Sequence, residues 1–268
     1  MYMVRIIRSG KVEEKVKFRV APNVKPRSTR RRGGSTERKQ DANERDRVKR
    51  LARTINCNFS NGDLLLNLTF DEESFKNLCD GLGKEKNNAD PGLDPGLRDR
   101  AQHEGMLFLR RLKRELDKTG VTLKYILVAS DMNGDTGEDA RIHIHVIISG
   151  KGMRMEEGVL YAGARPMAEL WPHGAVNYQP LRIQDDYTPL AAYLMRQVRR
   201  IPDARKYTVS RNLDKPVLVS EEIVMSAGEI KAPKGAKLLH RAAYEPGGAQ
   251  YIRYVRPAAA RRRRNDKC

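Results

Sequence analysis

Two histidines one residue apart, His143 and His145, sit in the run Arg141-Ile142-His143-Ile144-His145-Val146-Ile147-Ile148. The run is dominated by β-branched residues, which predicts a strand. Side chains alternate across a strand, so both imidazoles project from one face while Ile142, Ile144, Val146 and Ile148 fill the other. A neutral imidazole offers a lone pair to a divalent ion, and two on a stiff strand make half of a metal site. Taken alone, such a pair is more often two ordinary strand histidines. The remaining residues decide whether chemistry is intended.

About fifty residues on comes Asp185-Asp186-Tyr187-Thr188-Pro189-Leu190-Ala191-Ala192-Tyr193-Leu194-Met195-Arg196-Gln197. Thr188 suits a helix N-cap and Pro189 the first helical position. Tyr193, Arg196 and Gln197 then share a face, because residues three and four apart are neighbours on a helix. Tyr187 falls before the helix and off that face. A phenol ionises near pH 10 and attacks slowly unless the electrophile is activated or a base removes its proton. A metal held by His143 and His145 would act as a Lewis acid on a phosphodiester oxygen. Tyr193 could then attack in line, leaving a phosphotyrosine and a free 3′-hydroxyl. That intermediate keeps the phosphoester bond, so the strand can be rejoined.

The elements that must position these groups are legible in outline. Residues 3–20 alternate apolar and charged around Ser9-Gly10, which predicts a β-hairpin. Residues 22–40, with Arg30-Arg31-Arg32-Gly33-Gly34, cannot bury a core and read as a flexible basic arm. A helix is expected over residues 41–58, with Val48, Leu51, Ala52 and Ile55 on one stripe. Residues 64–70 read as a strand and residues 87–95 as a loop. A second helix is expected over residues 103–118, with Met106, Leu109, Leu112 and Leu116 inward and Arg110 and Arg111 outward. Residues 124–129 form another strand, and residues 131–139 an acidic turn into the histidine strand. Strand, helix, strand, strand describes an α+β unit with an antiparallel sheet. The expected division is a hairpin (1–21), the arm (22–45), a nicking domain (46–217), a C-terminal extension (218–256) holding a strand over 251–255, and a basic tail (257–268) carrying Arg261 to Arg264.

The chain has 268 residues and a net charge of +18, with pI near 10.0. An excess of this size calls for a polyanion, and nucleic acid is the default partner. No apolar run reaches transmembrane length and no signal-peptide pattern is present. Cys57, Cys79 and Cys268 form neither a zinc spacing nor a disulfide framework. A reduced, cytoplasmic protein without a membrane partner is the expectation.

The strand His143-Ile144-His145 followed by a helical Tyr193 resembles the HUH (His-hydrophobic-His) endonucleases, specifically rolling-circle replication initiators of phages and plasmids. Asn67-Leu68-Thr69-Phe70 is similar to that family's first motif. Phe108-Leu109-Arg110-Arg111-Leu112, Ser130-Asp131 through Gly137, Trp171-Pro172-His173-Gly174 and Tyr207-Thr208-Val209-Ser210-Arg211-Asn212-Leu213 resemble a firmicute phage and mobile-element branch. The likeness runs from about residue 45 to about residue 217.

It implies a ferredoxin-like fold with a central antiparallel sheet, the histidines on a central strand and the tyrosine on a facing helix. It also implies a metal-dependent endonuclease and strand transferase, using Mg2+ or Mn2+ on single-stranded and origin DNA. With no Walker A motif in the chain, strand separation falls to a host helicase, and a host polymerase would extend the 3′-hydroxyl.

The family usually has lysine three residues after its nucleophile, where this chain has Arg196. A guanidinium binds phosphate bidentately but does not readily give up a proton. The family's third metal ligand falls near Ser130, which favours Asp131, with Glu138, Asp139 and His173 as competitors. Arg110, Arg111, Arg199, Lys206, Arg211 and Lys215 are the expected contacts to the DNA backbone. Trp171 is either a core anchor or a platform for a base. Two other readings stand beside this one: a transposase or relaxase of the same chemistry, and a non-catalytic basic nucleic-acid-binding protein.

Overall fold

The structure, a computed structural model, describes residues 1–20, 37–80, 82, 95–200, 205–225, 228–244 and 248–257. Residues 22–36 of the expected arm, nearly all of the expected 87–95 loop and the tail with Arg261 to Arg264 lie outside them. The described elements form two compact units, Arg45–Asp214 and the pair of segments Met1–Glu44 with Lys215–Cys268. The chain opens with β1 (Tyr2–Ser9) and β2 (Val12–Arg19), which belong to the second of these.

The first unit is α+β and built on a five-stranded antiparallel sheet. Its elements in chain order are α1 (Glu37–Asn58, whose first residues fall in the other unit), β3 (Leu64–Thr69), α2 (Glu72–Cys79), α3 (Pro95–Asp117), β4 (Tyr125–Met132) and β5 (Asp139–Ile148). A small sheet of β6 (Met153–Glu156), β7 (Val159–Ala162) and β8 (Arg165–Pro166) follows. After it come a 3-10 turn (Met167–Leu170), β9 (Val176–Pro180), α4 (Thr188–Arg196) and β10 (Thr208–Val209).

The main sheet has the order β10-β4-β5-β3-β9. β3 and β4 are joined through α2 and α3 while β5 lies between them, a split β-α-β arrangement compatible with a ferredoxin-like fold. Between β5 and β9 the chain makes the three short strands and the 3-10 turn in place of a second crossover helix.

Alternation along the strands divides the core into two layers. On one face Leu66, Leu68, Leu127, Ile142, Ile144, Val146 and Ile148 pack against Phe108, Leu109, Leu112 and Leu116 of α3. On the other, Leu65, Ile126, Val128 and Ile147 pack against Leu51, Ala52 and Ile55 of α1 and Ala191, Leu194 and Met195 of α4. Trp171 belongs to the first layer: it is buried, its Nε1 donates to Thr69 O at 2.8 Å, and its ring meets Phe70 and Phe108 edge-on. It is a core anchor.

Several boundaries differ from the expectation. α1 begins at Glu37, inside the segment read as arm, because Glu37-Arg38-Lys39-Gln40 are good helix formers despite their charge. α3 begins eight residues before 103, with Leu97 and Ala101 already buried. α4 begins at Thr188, with Tyr187 as its N-cap residue; Asp186 Oδ1 accepts from both Thr188 N (3.1 Å) and its hydroxyl (2.8 Å). Thr188 is therefore inside the helix rather than its cap, because a carboxylate outcompetes a hydroxyl as acceptor for the first turn.

In the second unit the hairpin of β1 and β2 is joined by β11 (Val217–Val224), β12 (Lys237–Tyr244) and β13 (Ala249–Val255). Together they make a five-stranded antiparallel sheet, β11-β1-β2-β13-β12. The N-terminal hairpin and the C-terminal extension thus share one sheet. Glu13 and Glu14 are buried in it and accept from Tyr254 and Tyr251, each at 2.9 Å.

Candidate metal centre and nucleophile

The histidine strand β5 is the middle strand of its sheet, flanked by β4 and β3. His145 lies opposite Asn67 and Val128, and His143 opposite Thr69 and Ser130. Both imidazoles are on the face covered by α1 and α4, the same face as Ile147.

α4 supplies the third group. Gln197, its C-cap residue, brings Oε1 to 3.1 Å from His143 Nε2 and 3.0 Å from His145 Nε2, and the two Nε2 atoms are 3.1 Å apart. His143 Nδ1 lies 3.0 Å from Arg141 O. A carbonyl only accepts, so Nδ1 carries the proton in the neutral ring and Nε2 presents its lone pair. His145 is 5% exposed; burial, with His143 alongside, pulls its pKa down to about 4 against the opposing pull of Gln197. It is therefore neutral at physiological pH. Three electron-rich atoms converge with few protons among them, an arrangement that suits a cation.

The spacing supports the same conclusion. An octahedral ion with bonds of about 2.1 Å places adjacent ligands about 3.0 Å apart. Around the triangle the buried polar atoms Asn67 Oδ1, Ser130 Oγ, His145 Nδ1 and Gln197 Nε2 have no hydrogen-bond partner. Unsatisfied buried groups are costly, and their concentration in one patch marks a site with a function beyond folding.

Tyr193, one turn before Gln197, is 36% exposed, and its ring centroid is 6.0 Å from that of His145. Tyr187 is buried instead. Its hydroxyl donates to Arg182 O at 3.1 Å, its backbone N–H to Asn56 Oδ1, and burial raises its pKa. Arg196 is exposed and donates one N–H, from Nε, to Gly134 O at 3.0 Å.

The other expected site residues are placed differently. Asp131 is nearly buried; its Oδ1 accepts from Arg199 N at 2.9 Å, and its Oδ2 is 3.6 Å from Arg199 Nε. Arg199 also pairs with Asp139. His173 Nε2 is 2.9 Å from Glu104 Oε2. Among the described residues no three His, Cys, Asp or Glu side chains gather in metal-binding geometry, so Asp131, Glu138, Asp139 and His173 do not complete the histidine pair. Gln197 does, with an amide oxygen that a search for carboxylates overlooks. Its position four residues after Tyr193 was the available signal.

Lys206 is buried, and its ammonium donates to Val198 O (2.9 Å) and Met195 O (3.4 Å) at the end of α4. It holds the helix terminus, a favourable place for a cation, rather than presenting itself to DNA. Arg110 and Arg111 are carried by α3, which covers the face opposite the histidines, and Arg111 Nη1 donates to Leu170 O. Arg211 and Lys215 are exposed.

The family of replication-associated proteins that comprises ORF2 and the gene II protein matches residues 66–199, half of the chain, which includes both histidines, Tyr193 and Gln197. The chain belongs to this family. No curated protein and no solved structure gave a significant match. No helix among the described residues is long and apolar enough to cross a membrane.

Proposed function

We propose that this replication-associated protein is an initiator of rolling-circle replication that nicks single-stranded origin DNA by tyrosine transesterification. The observation that carries the reading is the convergence of His143 Nε2, His145 Nε2 and Gln197 Oε1 within 3.0–3.1 Å of one another, with Tyr193 one turn along the same helix face. His143, His145 and Gln197 would hold a divalent ion, which when bound supplies Lewis-acid activation of the scissile phosphate. Two imidazoles and one amide oxygen form a mixed set, better suited to Mn2+ than to Mg2+, which prefers oxygen and water.

The chain's own residues do the rest. Tyr193 Oη attacks phosphorus and the P–O3′ bond breaks. The 5′-phosphate stays on the tyrosine, and the leaving 3′-oxygen takes up a proton to become a hydroxyl. Arg196, with one N–H on Gly134 O, directs its remaining donors toward solvent beside Tyr193, where a backbone phosphate would lie. The hydroxyl of Tyr187 is already committed to a backbone carbonyl, which makes this a single-tyrosine enzyme. Reversal with a new 3′-hydroxyl rejoins the strand, as replication by strand displacement requires.

The test is incubation with labelled single-stranded origin fragments and Mn2+, followed by a denaturing gel and mass spectrometry of the DNA-linked peptide. The expected adduct maps to Tyr193 and is lost in Tyr193→Phe, while DNA binding persists. An adduct on another residue, or a 5′-phosphate product without any adduct, overturns the mechanism.

A further inference from the structure

A glutamine at a helix terminus is a poorly constrained ligand. It has three rotatable side-chain bonds, and the last turn of a helix lacks onward backbone partners. Here the terminus is gripped from outside. Asp131 N and Met132 N both donate to Gln197 O, at 3.0 and 3.1 Å. They can do so because the β4–β5 register shifts between Ser130 and Met132, turning two successive N–H groups of β4 away from the ladder. The Asp131 carboxylate closes the grip by accepting Arg199 N–H at 2.9 Å, two residues beyond Gln197. Arg199 is itself tied to Asp139 at the start of β5.

We propose that Asp131 is a positioning residue for the metal centre: its carboxylate clamps residues 197–199 onto the β4 bulge and so fixes the point from which Gln197 Oε1 reaches the two histidines. The inference rests on the reading of His143, His145 and Gln197 as metal ligands, and it gives Asp131 a role different from ligation. The two roles separate in Asp131→Asn. The amide oxygen introduced there still accepts the Arg199 N–H, so the clamp survives, whereas a carboxylate ligand would lose its charge.

The experiment is Mn2+ titration of the full chain followed by the EPR signal of unbound Mn2+, together with amide hydrogen exchange of the metal-free protein. Asp131→Asn should bind Mn2+ within about threefold of the unsubstituted chain. Asp131→Ala should bind it about 10- to 100-fold more weakly, the usual effect of losing a group that orients a ligand. The Arg199 amide should exchange faster in Asp131→Ala only. If the alanine variant does not fold, Asp131→Ser takes its place, with an expected loss of at least about threefold. Equal weakening in the asparagine and alanine variants would make Asp131 a ligand and overturn the proposal. Undiminished Mn2+ binding in the alanine or serine variant would also overturn it. His143→Ala and Gln197→Ala distinguish a deeper failure: if they too leave Mn2+ binding intact, the metal centre falls and the clamp with it.

Discussion

Replacing His143 and His145 together by alanine removes two of the three converging atoms and leaves the arginine and lysine side chains untouched. Nicking should disappear while affinity for single-stranded DNA stays within a few-fold, because that affinity rests on charge. EDTA should do the same to the unsubstituted chain. A filter-binding assay run beside the nicking assay checks both, and cleavage that survives either treatment would exclude the metal. Tyr187→Phe removes a hydroxyl whose bond to Arg182 O is part of the structure. It should lower stability by about 1 kcal/mol, as for a typical buried hydrogen bond, yet still yield the covalent adduct. At this scale the sequence was most informative where spacing alone sets direction. Alternation put both imidazoles on one face, and helical periodicity put Tyr193, Arg196 and Gln197 on another. Long-range pairings carry no such signature, which is why Asp131 read as a ligand when its oxygens are engaged by Arg199, and Lys206 as a DNA contact when it caps α4.

Elements approach one another closely at two glycines, and each gives a prediction. A Cβ on Gly134 would lie 2.9 Å from Gln197 Cγ. Gly134→Ala should therefore displace the glutamine and weaken Mn2+ binding about tenfold, an effect read by titration. Gly174 is held at φ +147°, and a Cβ there would lie 2.4 Å from Thr69 O and 2.7 Å from Asp71 N. Gly174→Ala combines backbone strain with a clash against main chain, so it should cost about 2–4 kcal/mol in urea denaturation. The elements that sequence reading found were those with strong periodicity, β3, β4, β5 and α3. It did not find β11 and β12, because both carry exposed residues on both faces and show no apolar alternation. The brief α2 and the two-residue β8 are too short for a period to emerge.

For the whole molecule the governing quantity is charge. The net +18 includes two arginine-rich runs, Arg30 to Arg32 and Arg261 to Arg264. Each phosphate contact on a single strand contributes about 0.7 to the slope of log affinity against log salt. Substituting both runs with serine should flatten that slope while the nicked position remains the same. A shifted cleavage site would show that these segments read sequence.

The β-sheet unit has a consequence for how the chain is made. Strands β1 and β2 leave the ribosome early, but their sheet partners β11 and β13 come about two hundred residues later. A lone two-stranded hairpin is marginal in water, so the early strands wait for the late ones. Residues 45–214 hold two hydrophobic layers of their own and can fold meanwhile. Their folding shortens the effective loop between the waiting strands and lowers the entropic cost of closing it. A product that stops before β13 leaves Glu13 and Glu14 without the tyrosines that satisfy them. Prematurely terminated chains should accordingly expose the β1–β2 hairpin to proteases, a built-in mark distinguishing a partial translation product from a finished one.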